Sequence, residues 1–395
     1  MVALTSIEII MWLLFAIVFF FYLGYFLVLY RFYRKSRQSK CSFSFIYPQV
    51  SLIVPTFNEA QTIRKKIQNI EDIDYPEDKI EVIFVDGNSS DQTVQAIETQ
   101  KKECKKRISV ITQSERKGYT EAIIEGVLNS KGDIVVLTDA GSYHELSAIK
   151  HLAKHFWDQK IGSVTGREVV LGDSKSLSEE LEISYRFFYD FMRQAETEMD
   201  STPDSKGEIL ALRKEICYEL ISKLRLHSRA SFDSCVPYQA KLMGYRTVYD
   251  SAARYYESAP SSLIDRNKQQ ARRGASLVGS LLLFKNMLFR KKYGKFGLVI
   301  LPAHFAMQVL LPWLVLSGTI CFAIMNVIDP LKVLVLWILI IAAMLSKKSR
   351  TFLISFVQSQ IALIMAMLRL TMRKDNLYID TIPSTRKQYD IPTLK

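Results

Sequence analysis

The sequence holds only five cysteines, Cys41, Cys104, Cys217, Cys235 and Cys321, and none of them form a CxxC pair. That spacing argues against a zinc site or a disulfide framework and fits a reduced compartment. No GxGxxG follows the first strand-like run, where Pro55 stands instead, so a dehydrogenase-type dinucleotide site is excluded. Internal repeats and low-complexity tracts are absent as well. Acidic residues are outnumbered 40 to 52, for a net charge of +12. Much of that excess lies beside apolar runs, where it orients the chain and meets lipid headgroups rather than nucleic acid.

The apolar runs are the first positive feature. Residues 9–30 carry no charge, and at about 1.5 Å per residue they cover a hydrocarbon core of about 30 Å. A cleaved signal peptide is the competing reading. The run is longer than an h-region, is crowded with Phe and Tyr, and lacks a small-residue cleavage site, so an anchor is favoured. Arg31, Arg34, Lys35, Arg37 and Lys40 follow it, which assigns the next segment to the cytoplasm by the positive-inside rule. Residues 296–328 are equally free of Asp, Glu, Lys and Arg, and with 333–346 they read as a transmembrane hairpin. Residues 351–370 carry Gln358, Gln360 and Arg369 and lead into a basic tail at 384–387. They are read as an interfacial helix, with a span as the alternative. Residues 275–295 are read as interfacial too. None of these segments has the central acidic groups that ion or proton coupling needs, which disfavours a channel or transporter.

Between them, residues 47–274 alternate strand-like and helical patterns. Strands are expected at 51–54, 82–86, 108–112, 134–138 and 246–249, and helices at 60–73, 93–105, 119–129, 177–202 and 236–243. This βαβα order predicts an α/β domain with a mostly parallel, Rossmann-like sheet. Two runs, VSLIVPTFNEA from Val50 and IEVIFVDGNSSDQT from Ile80, each end in a polar turn that carries carboxylates. Ligands of open α/β sheets sit beyond such strand ends, so Thr56, Asn58, Glu59, Asp86, Asn88 and Asp91 are candidates for one crevice.

In chain order the motifs are VPTFNE, VDGNSSDQT, RKGY from Arg116, TDAGS from Thr138, VTGRE from Val164, the stretch from Gly207 to Arg213, FDS from Phe232 and QQARR from Gln269. This set resembles the membrane-bound family-2 glycosyltransferases, the group of hyaluronan, chitin and cellulose synthases and of many bacterial and archaeal cell-surface enzymes. The resemblance runs over about residues 48–274 and extends to the flanking membrane segments. It implies a GT-A type nucleotide-sugar-binding domain and a metal-dependent hexosyl- or N-acetylhexosaminyl-transferase of cell-envelope polysaccharide biosynthesis. The implied donor is a UDP-sugar and the acceptor a lipid-linked or growing glycan. The implied location is the cytoplasmic face of the plasma membrane, in contact with lipid, as a monomer or a homo-oligomer.

Carried over residue by residue, the resemblance implies that Pro55, Thr56, Asn58, Glu59 and Asp86 hold uridine, Asp86 at the uracil edge and Glu59 at the ribose. Asp86 has a second reading as a helix cap, and Asp91 and Thr93 are read as caps. Arg116 and Lys117 face phosphate or lie in a solvated loop. Asp139 matches the first carboxylate of the family's metal motif, and Gly141 replaces the second. Mg²⁺ or Mn²⁺ at Asp139 remains the expectation. His144 is read as a surface histidine rather than a ligand, and His151 and His155 as an exposed helix face. Asp233 matches the family's catalytic base, since an acceptor hydroxyl must lose its proton as it attacks the anomeric carbon. Phe232 replaces the acid before it. QQARR resembles the family's QxxRW, so Arg272 would stabilise the leaving diphosphate, with Gln269 and Arg273 beside the diphosphate or acceptor. Arg273 replaces the usual tryptophan and removes a stacking surface near the acceptor. Because four apolar segments are few for a polymer channel in one chain, single or limited transfer to a lipid-anchored acceptor ranks above processive synthesis. The three replacements at Gly141, Phe232 and Arg273 also motivate an alternative, a catalytically weak nucleotide-sugar-binding or scaffold subunit of a glycan export complex. Donor selectivity is expected in loops such as 162–171.

Overall fold

The computed structural model describes residues 2–36, 47–171, 177–224, 230–258 and 262–372. Arg37, Lys40, Cys41 and the basic tail at 384–387 lie outside the described residues. Among the described residues eight strands form one sheet: β1 (Val50–Thr56), β2 (Ile80–Asp86), β3 (Arg107–Thr112), β4 (Ile134–Leu137), β5 (Tyr143–His144), β6 (Ile161–Leu171), β7 (Leu210–Arg213) and β8 (Arg246–Ser258). Their order is β3-β2-β1-β4-β7-β6-β8-β5. The first four are parallel. β7 runs antiparallel to both β4 and β6, β8 is parallel to β6, and β5 pairs antiparallel with β8. The result is a GT-A-like mixed sheet, parallel in its first half.

The sequence explains that first half directly. β1, β2 and β4 are continuous apolar runs because helices cover both faces, and Leu52, Ile53, Val54, Val82, Phe84, Val85, Val135 and Leu137 are fully buried. The second half is less regular. Residues 162–171, expected as a loop, belong to β6, whose Ser163, Thr165, Arg167 and Glu168 conceal the strand pattern. Ser163 and Thr247 hydroxyls bond each other across the sheet at 2.6 Å, which lets polar residues be buried there. A Cβ on Gly166 would lie 2.3 Å from the Ala253 carbonyl oxygen, so the β6–β8 approach requires glycine at that point.

Among the described residues three helices are long and apolar enough to cross a membrane: Ser6–Arg34, Phe296–Ile328 and Lys347–Thr371. The first packs along Leu311–Ile328, with Phe15 against Gly318, and Lys332 pairs with Glu8 at 2.8 Å. The limb Leu334–Leu345 has 12 residues, none of them buried, and at about 1.5 Å per residue it is too short to span alone. The element around 275–295 differs from the expected interfacial helix. A helix runs Leu263–Leu283 and is followed by short turns at Lys285–Met287 and Lys291–Tyr293. Its Ala275, Val278 and Leu281 are fully buried, because it packs on Lys347–Thr371 and on the domain.

Candidate active site

The two turns predicted to share a crevice do meet. Asn58 N–H donates to Ser89 Oγ at 2.9 Å, Ser90 N–H to Asn58 Oδ1 at 2.9 Å, and Glu59 N–H to Thr93 Oγ1 at 2.8 Å. Asp91 accepts from Ala60 N–H at 3.1 Å and from Thr93 N–H at 3.0 Å, so one carboxylate ties the starts of two helices. Asn58 and Asn88 adopt φ of 55° and 62°, a left-handed conformation that Asn tolerates. The Glu59 carboxylate accepts from Thr62 Oγ1 at 2.6 Å. Pro55 is half-buried at the end of β1 and Thr56 is buried beside Asp86, with its Oγ1 3.4 Å from Asp86 Oδ1.

Asp86 is completely buried. Its Oδ2 accepts from Ser89 N–H at 2.8 Å and its Oδ1 from Ser89 Oγ at 2.5 Å. The turn-holding role is therefore present in the geometry, and a base would meet Asp86 only through its remaining lone pairs. At the rim, the Arg116 guanidinium lies 4.0 Å from the Phe57 ring centroid. Lys117 is exposed.

Beyond β4 the TDAGS loop closes on itself: Ser142 Oγ donates to the Asp139 carbonyl at 3.0 Å and sits 3.1 Å from Thr138 Oγ1. Beneath it lies Lys66, fully buried, donating to Thr138 Oγ1 at 2.8 Å and to the Ser142 carbonyl at 2.6 Å. Burial pulls this ammonium down to about 7, against the attraction of Asp139. The sequence carried a signal for Lys66, which interrupts the apolar stripe of Ile63, Ile67 and Ile70 on the helix Ala60–Glu71.

His144 is not a surface residue. It is fully buried with Nε2 3.0 Å from the Glu208 carbonyl, and burial next to Lys66 lowers its pKa to about 3, so it is a neutral imidazole. His155 also leaves its expected role, with Nε2 2.8 Å from Asp250. The Arg213 guanidinium donates to the Ile161 and Phe156 carbonyls at 2.9 and 3.1 Å, a bracing role.

Asp233 opens the helix Phe232–Leu242. Burial raises its pKa against a hydrogen bond from Ser231, and Glu208 raises it further. Tyr119, at the start of the helix Tyr119–Asn129, lies near the Asp139 carboxylate. Burial, then Asp139, Asp233 and Glu208, raise its pKa well above 10, so the hydroxyl keeps its proton. A Cβ on Gly207 would lie 2.5 Å from Tyr119 Oη and 3.2 Å from Asp233 Oδ2. Asp139, Tyr119, Gly207 and Asp233, distant in sequence, thus converge.

Behind them lies a charge network that sequence reading did not find. Arg273 Nη1 is 3.4 Å from Glu182, and its Nη2 is 3.4 Å from Glu208 and 3.9 Å from Glu257. Arg186 pairs with Glu168 at 3.1 Å and with Glu182, Lys206 with Glu168 at 3.6 Å, and Arg266 with Glu182 at 3.2 Å. Burial pushes the Glu168 carboxyl up, but Arg186, Lys206 and Arg273 outweigh it and hold it below the usual carboxylate range. Lys206 is lowered to about 8 by burial and by Arg186 and Arg273. Arg266 also donates to Gln358 on the helix Lys347–Thr371, which links the network to the apolar segments. Gln269 is buried and Arg272 half-buried on the same helix as Arg273.

Among the described residues no group of three His, Cys, Asp or Glu side chains could hold a metal ion alone. Asp139 with Gly141 offers a single motif carboxylate. That donor set fits Mg²⁺ or Mn²⁺ only where phosphate oxygens complete the coordination, a common arrangement for these hard cations.

The sequence matches the Glycosyl transferase family 2 description over residues 51–221. It is 31% identical over 133 residues to a probable glycosyltransferase, YdaM, of Bacillus subtilis (33% of this chain, 32% of that one). It is 37% identical over 103 residues to a dolichyl N-acetyl-alpha-D-glucosaminyl phosphate diacetamido-dideoxy-glucuronosyltransferase of Methanococcus voltae (26% and 32%). The alignments thus cover about a third of these curated relatives' length. A mannosyltransferase of Pyrobaculum calidifontis, solved with GDP-Man and Mn²⁺, superposes with a TM-score of 0.75 at 25% identity, covering 93% of this chain and 99% of that one.

Proposed function

We propose that this chain, which carries a glycosyl transferase family 2 domain over residues 51–221, is an inverting transferase at a membrane. It moves a sugar from a nucleoside-diphosphate sugar to the hydroxyl of a lipid-linked or growing glycan. The observation that supports this most is the convergence of Asp139 and Asp233 on Tyr119 and Gly207, at the ends of β4 and of the loop before β7. Asp233 takes the acceptor proton as the hydroxyl attacks the anomeric carbon. Its raised pKa brings it closer to that proton, as a general base requires. Attack from the face opposite the diphosphate inverts the centre. Arg272 stabilises the leaving diphosphate. Asp139 is the protein ligand of a divalent cation, which when bound supplies positive charge to the diphosphate oxygens.

The two joined turns bind the nucleoside, with Asp86 and Glu59 toward base and ribose. UDP is the first reading, because a carboxylate accepts from the uracil imide N–H. GDP-mannose is the second, supported by the ligand of the Pyrobaculum structure. A lipid-phosphate-linked acceptor is supported by the Methanococcus relative and by the three apolar helices. The basic flank at Arg31 and Arg34 supports a cytoplasmic catalytic domain at the plasma membrane.

Purified membranes supplied with UDP-glucose, UDP-N-acetylglucosamine, UDP-galactose, UDP-glucuronate and GDP-mannose, with and without Mn²⁺ and lipid extract, test the reading through nucleotide release. Asp233→Asn should lower release by about 10²–10⁴-fold. Undiminished release refutes the base assignment. Release from GDP-mannose alone refutes the uracil role of Asp86.

A further inference from the structure

We propose that Tyr119 is a positioning residue that ties the donor-side acid Asp139 to the acceptor-side base Asp233. The proposal rests on the glycosyl-transfer reading of those two carboxylates. Tyr119 does not belong to either motif, and three features place it between them. Gly118 at φ 90°, a conformation open to glycine, starts the helix Tyr119–Asn129 so that its first side chain enters the site. The Tyr119 hydroxyl lies near the Asp139 carboxylate, which it feels electrostatically. The missing side chain at Gly207 leaves the space in which that hydroxyl and Asp233 Oδ2 lie close together.

The consequence is geometric. With Gly141 in place of a second motif acid, Asp139 lacks the neighbouring carboxylate that would share its orientation. The Tyr119 hydroxyl and the buried Lys66 ammonium under the loop take that orienting task instead. Catalysis by positioned groups loses rate when a supporting contact goes, even if substrate still binds. Tyr119 therefore acts on the rate of transfer and not on donor affinity.

Tyr119→Phe keeps the ring and removes only the hydroxyl. In the full-length, membrane-embedded protein, kcat should fall about tenfold, the scale of one polar contact to a charged group, while the donor KM stays within about threefold. A second measurement is independent of catalysis. Gly207→Ala puts a Cβ 2.5 Å from Tyr119 Oη, so it should lower the thermal midpoint of the ligand-free protein in the parent. The drop should be smaller in the Tyr119→Phe background, where the clashing atom is gone. If Asp233→Asn abolishes transfer but Tyr119→Phe leaves kcat within twofold, the positioning role is wrong and the transfer reading stands. Equal destabilisation by Gly207→Ala in both backgrounds overturns the shared space. Undiminished transfer in both Asp233→Asn and Asp139→Asn overturns the underlying reading and this proposal with it.

Discussion

Arg273→Met should destabilise the protein by about 3 kcal/mol. The network around it balances four carboxylates, Glu168, Glu182, Glu208 and Glu257, with four cations, Arg186, Lys206, Arg266 and Arg273. At an effective dielectric of about 20, a unit pair near 4 Å is worth about 4 kcal/mol. Arg273 has three carboxylate neighbours at 3.4–3.9 Å, opposed by its own burial and by Arg186. Removing one partner of a buried pair costs about 3–5 kcal/mol. The lower end applies, since a quarter of the Arg273 side chain is exposed.

For a domain of this size, the corresponding fall in midpoint is about 6–12 °C, readable by scanning fluorimetry in detergent or nanodiscs. The diagnostic variant is the double one. Glu208→Gln combined with Arg273→Met restores the charge balance and should recover at least half of the loss. Arg273→Trp should be no better than Met, because Trp brings bulk without charge. A midpoint shift below about 2 °C for Arg273→Met, or a double variant no more stable than the single, would refute the view that Arg273 is the network's central cation.

Gly166→Ala should cost about 1–3 kcal/mol by overpacking, because its Cβ would lie 2.3 Å from the Ala253 carbonyl oxygen, which is backbone, as well as 2.8 Å from the Ile209 side chain; denaturant unfolding reads this, and a neutral result would contradict the β6–β8 spacing. Acid should destabilise the protein strongly. Glu168, Glu182, Glu208, Asp204 and Asp250 all have folded pKa values below their ordinary ones, so the stability they contribute is present above the unfolded carboxylate range and is lost as pH falls through about 4 and lower. A midpoint flat between pH 6 and pH 3.5 would contradict these pairings. Asp233 has the opposite sign: its raised pKa makes kcat/KM rise with pH through a value above the usual Asp range, a limb that Asp233→Asn should abolish along with most of the rate.

The parts of this molecule legible in the sequence are those where one physical demand dominates. β1, β2 and β4 are buried on both faces, so Val, Ile, Leu and Phe fill them and the parallel half of the sheet follows from the pattern. The apolar helices are legible for the same reason, although the choice between span and interface at 351–370 is not, since Gln358 reads as a surface residue until Arg266 is seen beside it. β6 escaped because its polar residues are satisfied across strands, by Thr247 for Ser163 and by Tyr255 for Glu168, and a single sequence does not display its partners. The site divides along the same line. Asp139 and Asp233 stand in recognisable local patterns, whereas Tyr119, Lys66 and Glu208 acquire their meaning from chain crossings between distant segments. His144 shows the cost of judging by residue type: a histidine two residues past a metal-like motif is here a buried neutral strut on the Glu208 carbonyl. The departures at Gly141 and Arg273 therefore need not signal decay. Each sits where the fold has placed an alternative, a buried ammonium and a tyrosine hydroxyl at the first, and a neutral eight-membered charge network at the second. At the second, the matched charges have a physical reason of their own, because each carboxylate left unmatched there would cost several kcal/mol.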